Sequence, residues 1–596
     1  IDINDSIAIQ DGFTLTLNSD QDDNGTGGLI DVSGNIQGDG GSNEHLVVDS
    51  GDGNVVLGTD GTDVINGSGG DGRFGNLTID STASVTIHGA VTGRSIVIDG
   101  TRVPMTVNIN DPLDLSAAGD VDVLLVTATD VNFAADATVT TAAMNDVVLT
   151  GQGANSDLVI PSGANFDLGG ELIVDNFDGT GGAAGVQLGA SVTADEGITF
   201  QNGSNIALTD NVVLDTDDGG GANVTLEAVD ADLAANNHSL QIIAGTGIVD
   251  VQGHVGANQA VESLTVTSST TTDLQNVTTR DGGLAVTATT INLDGATLRT
   301  DDEEGTSGNA GNVTLTGNVV LNSSVSILTD VTAADGNVTI TGTVNADTNT
   351  ADRVFSITAG GGNIDLQGDV GTSATKAVES LIVVSSGTTD VQNVTTRDGG
   401  ISITGTTINL DGATLRTDDE NGSGNAGSVL LTGSVVLNST VSILTDVAAT
   451  DGNVTVAGTV NADANTSNRT LSVTAGTAAV DFQNDIGTAA GMALESLTVV
   501  SSGSTDLQNV KTRDGGISIT GTTINLEGAT LQTDDENGSG NAGSVLLDGD
   551  VVLRTNVSIL TDVAATDGSV TVTGTINADA NTSNRTLSVT AGDAAV

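Results

Sequence analysis

The residues best equipped for chemistry are carboxylates in a glycine-rich loop that the chain writes three times: TDDEEGTSGNAG at 300–311, then TDDENGSGNAG at 417–427 and 533–543. Oxygen ligands from Asp301, Asp302 and Glu303, from Asp418, Asp419 and Glu420, and from Asp534, Asp535 and Glu536 would suit Ca2+ beside a tight turn. Shorter relatives are TDDGGGAN at 216 and SDQDDNGTGG at 19. The spacing is not that of a calcium-binding helix-loop-helix, and the first copy is one residue longer than the others. A solvated turn accepts such an insertion more readily than a coordination shell does. A plain acidic turn is therefore the competing reading, Ca2+ is at most weakly bound, and no cofactor is required.

Other chemistries leave fainter traces. GTDGTDVINGSGGDG at 58–72 resembles the Gly-Asp nonapeptides of calcium-binding secreted toxins, but in one imperfect pass, whereas such sites need stacked copies. Paired carboxylates could hydrolyse a glycoside, yet a sugar cleft usually carries aromatic platforms, and the chain has no Trp or Tyr. His45, His88, His238 and His254 show no metal-ligand spacing. The triplets Thr314/Thr316, Thr339/Thr341 and Thr571/Thr573 have the form of an ice-binding rank, but they do not recur at a constant beat and Thr is simply a good strand residue. The Asn-x-Thr sequons arise from the same turn-then-strand pattern.

The elements that must position these groups come from copying. Segments opening ESLTV at Glu262, ESLIV at Glu379 and ESLTV at Glu495 each run through RDGG, TINL and TDDE. Residues 397–480 and 513–596 differ at eleven of eighty-four positions. Thr432, Ser434 and Asn438 become Asp548, Asp550 and Arg554, while the intervening Val435, Val436 and Leu437 are kept as Val551, Val552 and Leu553. The organisation expected is a divergent section over 1–144, a degenerate unit over 145–261, units over 262–378 and 379–494, and a truncated unit over 495–596. Pro104 and Pro112 suggest an interrupted or decorated first section. The last copy stops within VTAGDAAV, so the natural chain is expected to continue at both ends.

Within a unit a smaller beat appears, as in GNVTLTG at 311, GNVTITG at 336 and GNIDLQG at 362. Alternation puts Val313 and Leu315 on one face and Asn312, Thr314 and Thr316 on the other. Dividing a unit into five turns gives about 23 residues each, the size of one coil of a parallel β-helix. No 3.6-residue stripe persists, which excludes a helical fold. The predicted fold is all-β, a parallel β-solenoid whose interior includes Val338, Ile340, Val454 and Val456, with tandem β-sandwich domains as the alternative. Stacked over some 26 coils at about 4.8 Å, such a rod would reach roughly 125 Å. The slot inside each coil explains why the 37% of hydrophobic residues are almost all aliphatic, with eight Phe and no other aromatic.

Seventy-seven Asp and Glu against fourteen Lys and Arg give a net charge of −63, which excludes nucleic acid as a partner because its phosphates would be repelled. No run of about eighteen apolar residues exists to form a transmembrane helix.

The stretch DGATLRTDDENGSGNAGSVLLTG at 411–433 resembles the repeats of filamentous-haemagglutinin-like exoproteins, also much like other giant β-strand-repeat bacterial surface proteins. The matching positions are Gly412, Ala413 and Leu415, then Thr417, then Gly422, Gly424, Asn425, Ala426 and Gly427, with Val429 opening the next strand. The resemblance covers the repeats from about 196 onward and implies a right-handed β-helix, export to the cell surface, and adhesion or matrix building. The expected function is thus a non-enzymatic extracellular rod, a segment of a giant surface adhesin or fibre, whose partners are neighbouring copies of itself or cell-surface and matrix ligands. A subunit of a sheath, surface layer or filament is one alternative. A carbohydrate-active β-helix enzyme is the other.

Overall fold

A computed structural model of the chain describes all residues except 21–26, 40–42, 68–71, 100–102, 117–122, 180–182, 234–235, 269, 301–307, 332, 348–351, 374, 418–424, 448, 465–467, 490, 534–540, 564 and 581–583. The described residues hold strands, turns and bends but no helix, and their strand pairings are parallel. Antiparallel hairpins, which β-sandwich domains require, do not occur among them. The chain divides into two compact units, Ile1–Ile291 and Asn292–Val596, and each is a parallel β-solenoid.

In Ile1–Ile291 three columns of strands carry the coil. One runs through the strands Asp2–Ile3, Ile30–Val32, Val55–Leu57 and Ser84–Ile87 and on to Val229–Ala231. Its turns vary in length, the shortest joining Val186 to Ile206 and the longest Val55 to Val85. Among the described residues, pairing continues beside Pro104 and Pro112: the Met105 N–H donates to Ala83 O at 3.0 Å and the Val91 N–H to Pro112 O at 2.9 Å.

In Asn292–Val596 the same three-faced coil is built from copied strands. Alternation places Val313, Leu315, Val338, Ile340, Val454 and Val456 in the interior, essentially without solvent exposure, as expected. Thr432, Ser434 and Asn438 face outward with their replacements Asp548, Asp550 and Arg554. Burying each Val or Leu contributes about 1.5–3 kcal/mol, and parallel stacking at about 4.8 Å aligns like residues rung over rung. Asparagines add a ladder outside the core: the Asn337 N–H donates to Asn312 Oδ1 and the Asn363 N–H to Asn337 Oδ1, both at 2.8 Å.

Two features depart from the sequence reading. Seven of the eight Phe are buried, and Phe133 and Phe166 meet edge to face at 5.0 Å, so single rings fit the slot where neighbouring side chains leave room. Most turns are also longer than a division of the unit into five predicts. In the second unit one turn takes the chain only from Thr389 to Ile408, but another takes it from Val325 to Phe355. Five turns are therefore more than one copied unit holds.

Corners are closed by buried threonines. Thr300 Oγ1 donates to Gly311 O at 2.5 Å, Thr417 to Gly427 at 2.5 Å and Thr533 to Gly543 at 2.6 Å, and Thr329 and Thr445 close the next corners on Gly336 and Gly452. The close approach of coils demands glycine at Gly433, where φ is +140° and a Cβ would lie 1.8 Å from Gly405 O.

Candidate functional site

The nine carboxylates proposed as calcium ligands, Asp301, Asp302, Glu303, Asp418, Asp419, Glu420, Asp534, Asp535 and Glu536, lie outside the described residues. What is described is their anchorage: each loop leaves and re-enters the coil at a Thr–Gly pin, Thr300–Gly311, Thr417–Gly427 and Thr533–Gly543. Among the described residues no group of three or more His, Asp or Glu side chains is arranged to hold a metal ion.

Two other charged constellations are copied. The first joins the ESL and RDGG words. The strand Val378–Val384 pairs with Val394–Leu410, and between Val378↔Thr396 and Ser380↔Gly400 the register slips by two residues. The resulting bulge sets Arg397 and Asp398 against Glu379. Burial pushes the Glu379 carboxyl above its ordinary range, Asp352 and Asp398 push it further, and Arg397, 3.5 Å from Asp352, pulls the other way. Glu262 is raised likewise by burial and Asp281 against Arg280, and Glu495 by burial and Asp514 against Arg513.

The second constellation is an arginine clamp. Arg353 donates through Nε and Nη2 to the two oxygens of Asp347 at 2.9 and 3.1 Å, Arg469 to Asp463 at 2.9 and 2.8 Å, and Arg585 to Asp579 at 3.0 and 2.8 Å. Such planar, two-point pairs fix the ends of a surface loop. In the degenerate unit Asp232 and His238 stand in the same places, with Nε2 3.3 Å from Oδ1.

Between these, outward carboxylates stack. Asp365 sits directly over Asp390 and Asp481 over Asp506, a like-charge pairing that opposes the ladder. Burial raises the Asp390 carboxyl, the Asn409 amide donating at 2.5 Å lowers it, and Asp411 and Asp365 raise it again.

Cations are committed within the chain. In Asn292–Val596, Arg353, Arg397, Arg469 and Arg585 pair with aspartates, Arg513 stands in the field of Glu495, Arg554 donates to Asn525, and Lys376 to Asp347 O at 3.4 Å. Arg299, Arg416 and Lys511 are engaged as well. Among the described residues of this unit, the surface offers a partner mainly acceptors and carboxylates, and the buried Nε and Nη1 of Arg513 lack a hydrogen-bond partner.

In Ile1–Ile291 a cavity of about 450 Å³ is lined by Gln187, Thr209, Asp230, Asp232, Leu233 and Asn258 among others. Its carboxylates are already hydrogen-bonded: Asp230 accepts from the Asn258 and Gln259 N–H groups and Asp232 from Leu233 N–H and the Asn236 amide. Two other histidines also sit among chain neighbours, His88 with both ring nitrogens within 3.3 Å of the Asn110 amide and His45 with Nδ1 3.4 Å from Asn76 N.

The meeting of ESL with RDGG escapes sequence reading, although the stretch from Glu379 to Arg397 approximates one short turn. The clamp also escapes, its only signal being a lone arginine six residues after each NAD aspartate. No protein family, curated protein or solved structure matches this chain.

Proposed function

We propose that this chain is a non-enzymatic structural segment, an acidic rod that works outside the cell as part of a large surface adhesin or fibre. The observation that carries the reading is the copying of whole corners and faces in Asn292–Val596: the same Thr–Gly pins, arginine clamps and bulged Glu–Arg–Asp groups recur at every unit. A catalytic centre needs one convergent set of groups, whereas reach and stiffness gain from each added turn. The commitment of the cations within the chain supports a hydrated, anionic surface that meets cationic or neutral partners. Extracellular placement rests on the resemblance of the repeats to exported surface proteins. Immunogold labelling of the native cells with an antibody to the repeat tests it: label on the outer surface is expected, and label confined to the cytoplasm overturns it.

Weak cation binding at the acidic turns belongs to the same proposal. Melts in Ca2+, Mg2+ and NaCl at matched ionic strength separate the cases. A Ca2+ gain exceeding that of NaCl, lost on replacing Asp418, Asp419 and Glu420 by Asn and Gln, supports binding. Equal gains reduce the effect to screening of self-repulsion.

A further inference from the structure

The sequence unit and the coil are out of step. Following one column upward from Val313, the rungs are Val338, Ile364, Thr389, Ile408 and Val435. Five turns thus end not on Val429, the copy of Val313, but on Val435, six residues later and the copy of Val319. The slip repeats: from Val429 the column climbs through Val454, Val480, Thr505 and Ile524 to Val551, the copy of Val435. Val313 and Val319 belong to adjacent faces of one turn, pairing with different strands, Val338–Ile340 and Val344–Ala346. The copied unit that runs from Val313 to Val429 therefore spans fourteen faces, one short of five three-faced turns. Each copied surface is turned by one face from the copy before it.

Copied parts must therefore suit any face, and a corner that departs from the copies is where a site made once can form. Such a corner lies in Ile1–Ile291. NIALTDNVVLDT at 205–216 aligns without a gap with NVVLNSSVSILT at 318–329, so Ala207 stands where the copies carry Val320, Val436 and Val552, and Thr209 where they carry Asn322 and Asn438. The rung above keeps the correspondence, since Asp230 pairs with Ala207 as Asn345 does with Val320 and Asn461 with Val436. Asp232 then answers to the clamped Asp347 and Asp463, but it faces His238 in place of an arginine. Leu233, 60% exposed, follows it where the copies have Thr348, Ala464 and Ala580. The next loop is two residues shorter, GANQAVESL at 256–264 against GTSATKAVESL at 371–381. A smaller floor, a smaller clamp and a shorter loop leave the cavity of about 450 Å³, a size that suits a small ligand.

The lining has two characters. Ala183, Ala184, Ala207 and Leu233 give it an apolar side. The polar side is held in place: Asp230 accepts from the Asn258 and Gln259 N–H groups and from the Asn258 amide, and Asp232 Oδ1 accepts from Leu233 N–H and the Asn236 amide, both at 2.8 Å. No described residue engages Asp232 Oδ2, Asn258 Oδ1, the Gln187 amide or the Thr209 hydroxyl. Together these groups donate and accept, and no lysine or arginine is among the described lining residues. An anion meets no counter-charge there, and an amine, which only donates, leaves the Gln187 and Thr209 donors idle. A sugar hydroxyl both donates and accepts.

We propose that this cavity binds one neutral pyranose ring, its hydroxyls meeting Asp232, Gln187, Thr209 and Asn258 and its C–H face lying on Leu233 and the alanines. The site gives the adhesin reading a ligand class, and it rests on that reading only for where the sugar is met. With an aliphatic wall in place of an aromatic platform, the affinity should be modest, with Kd on the order of 1 mM.

Saturation-transfer NMR on the full chain tests this with free glucose, galactose, mannose and N-acetylglucosamine, and with ethylamine as the cationic probe. Ala207→Val and Leu233→Ala each install a residue that the copied corners already carry, and circular dichroism checks that both variants keep their fold. The expected result is transfer to at least one of the four sugars and none to ethylamine, reduced roughly fivefold or more in both variants. No transfer to any of the sugars, or transfer to ethylamine alone, would overturn the proposal. Transfer that survives both substitutions would place the sugar elsewhere and overturn it too. Each of these failures leaves the immunogold result standing, and label confined to the cytoplasm would leave the binding intact, so the two fail separately.

Discussion

The two units solve one problem with different materials. Ile1–Ile291 fits its slot residue by residue: it holds five of the seven buried Phe and, among the described residues, the four non-glycine positions with positive φ, Met144, Asn155, Asn176 and Asn202. Asn292–Val596 reaches the same cross-section by rule, with positive φ only at glycines among its described residues and with one type of pin at copied corners. The clamp condenses the contrast, since Asp232 faces His238 in the first unit and Arg353, Arg469 and Arg585 hold the equivalent aspartates in the second. Duplication evidently favours parts that serve in any turn, while the unduplicated section tolerates local solutions.

The largest effect should come from breaking the rule where coils approach most closely. Gly433→Ala puts a methyl against Gly405 O and should destabilise the surrounding turns by about 3 kcal/mol. Gly12, with positive φ but nothing within 4 Å of a Cβ, should accept Asn at little cost. Native-state hydrogen exchange localised to the affected turns would measure both, because a long solenoid need not unfold as one unit. Equal effects would erase the distinction between copied and local glycines.

A second test applies one substitution to two copied threonines. Thr417 Oγ1 donates to Gly427 O, whereas Thr389 Oγ1 is buried with no hydrogen-bond partner. Thr417→Val should cost about 1–2 kcal/mol and Thr389→Val should gain about 1 kcal/mol, since the first orphans a buried carbonyl and the second removes an unsatisfied hydroxyl. The sign difference in denaturation midpoints is the observable. Like signs would show that the pins do not hold the corners.

The bulged glutamates give the pH dependence. Glu379 has a raised folded-state pKa, so the native state holds its proton more tightly than the unfolded chain, and its contribution is fully present below the unfolded value and lost as pH rises through the folded one. Asp451 runs the other way: burial raises it, but Thr477 and Val447 donating to it outweigh that, so its contribution is present above the ordinary carboxylate range and lost as pH falls through its lowered value. Glu379→Gln should therefore raise the melting temperature at pH 7 and have no effect near pH 4. Asp451→Asn should lower it at pH 7. A pH-independent change in either variant would contradict these assignments. The smallest effect is the clamp itself: His238→Arg should stabilise the degenerate corner by about 0.5 kcal/mol, because a guanidinium can meet both Asp232 oxygens where the imidazole stands opposite one.

How far the sequence is legible follows from what alternation encodes. Inward positions such as Val338 and Val456 can be read because a period of two assigns each side chain to a face. Turn length is misread when the copied unit is divided by a whole number, and nothing within one copy reveals that Val313 and Val429 face different ways. The slip becomes visible only when rungs are paired across the coil. Contacts made by adding one turn, such as Glu379 with Arg397, are hidden for the same reason.

The most direct test of the out-of-step coil is a pair of distances between spin labels on cysteines in the second unit. Thr339 and Asn461 share a face, five rungs apart through Asp365, Asp390, Asn409 and Val436, and their labels should be separated by roughly 24 Å. Thr339 and Thr455 are copies of one position, six residues closer in sequence, yet they lie on different faces. The longer distance is predicted for the pair closer in sequence, Thr339 with Thr455. A shorter distance for that pair would place the copies on one face and contradict the out-of-step coil.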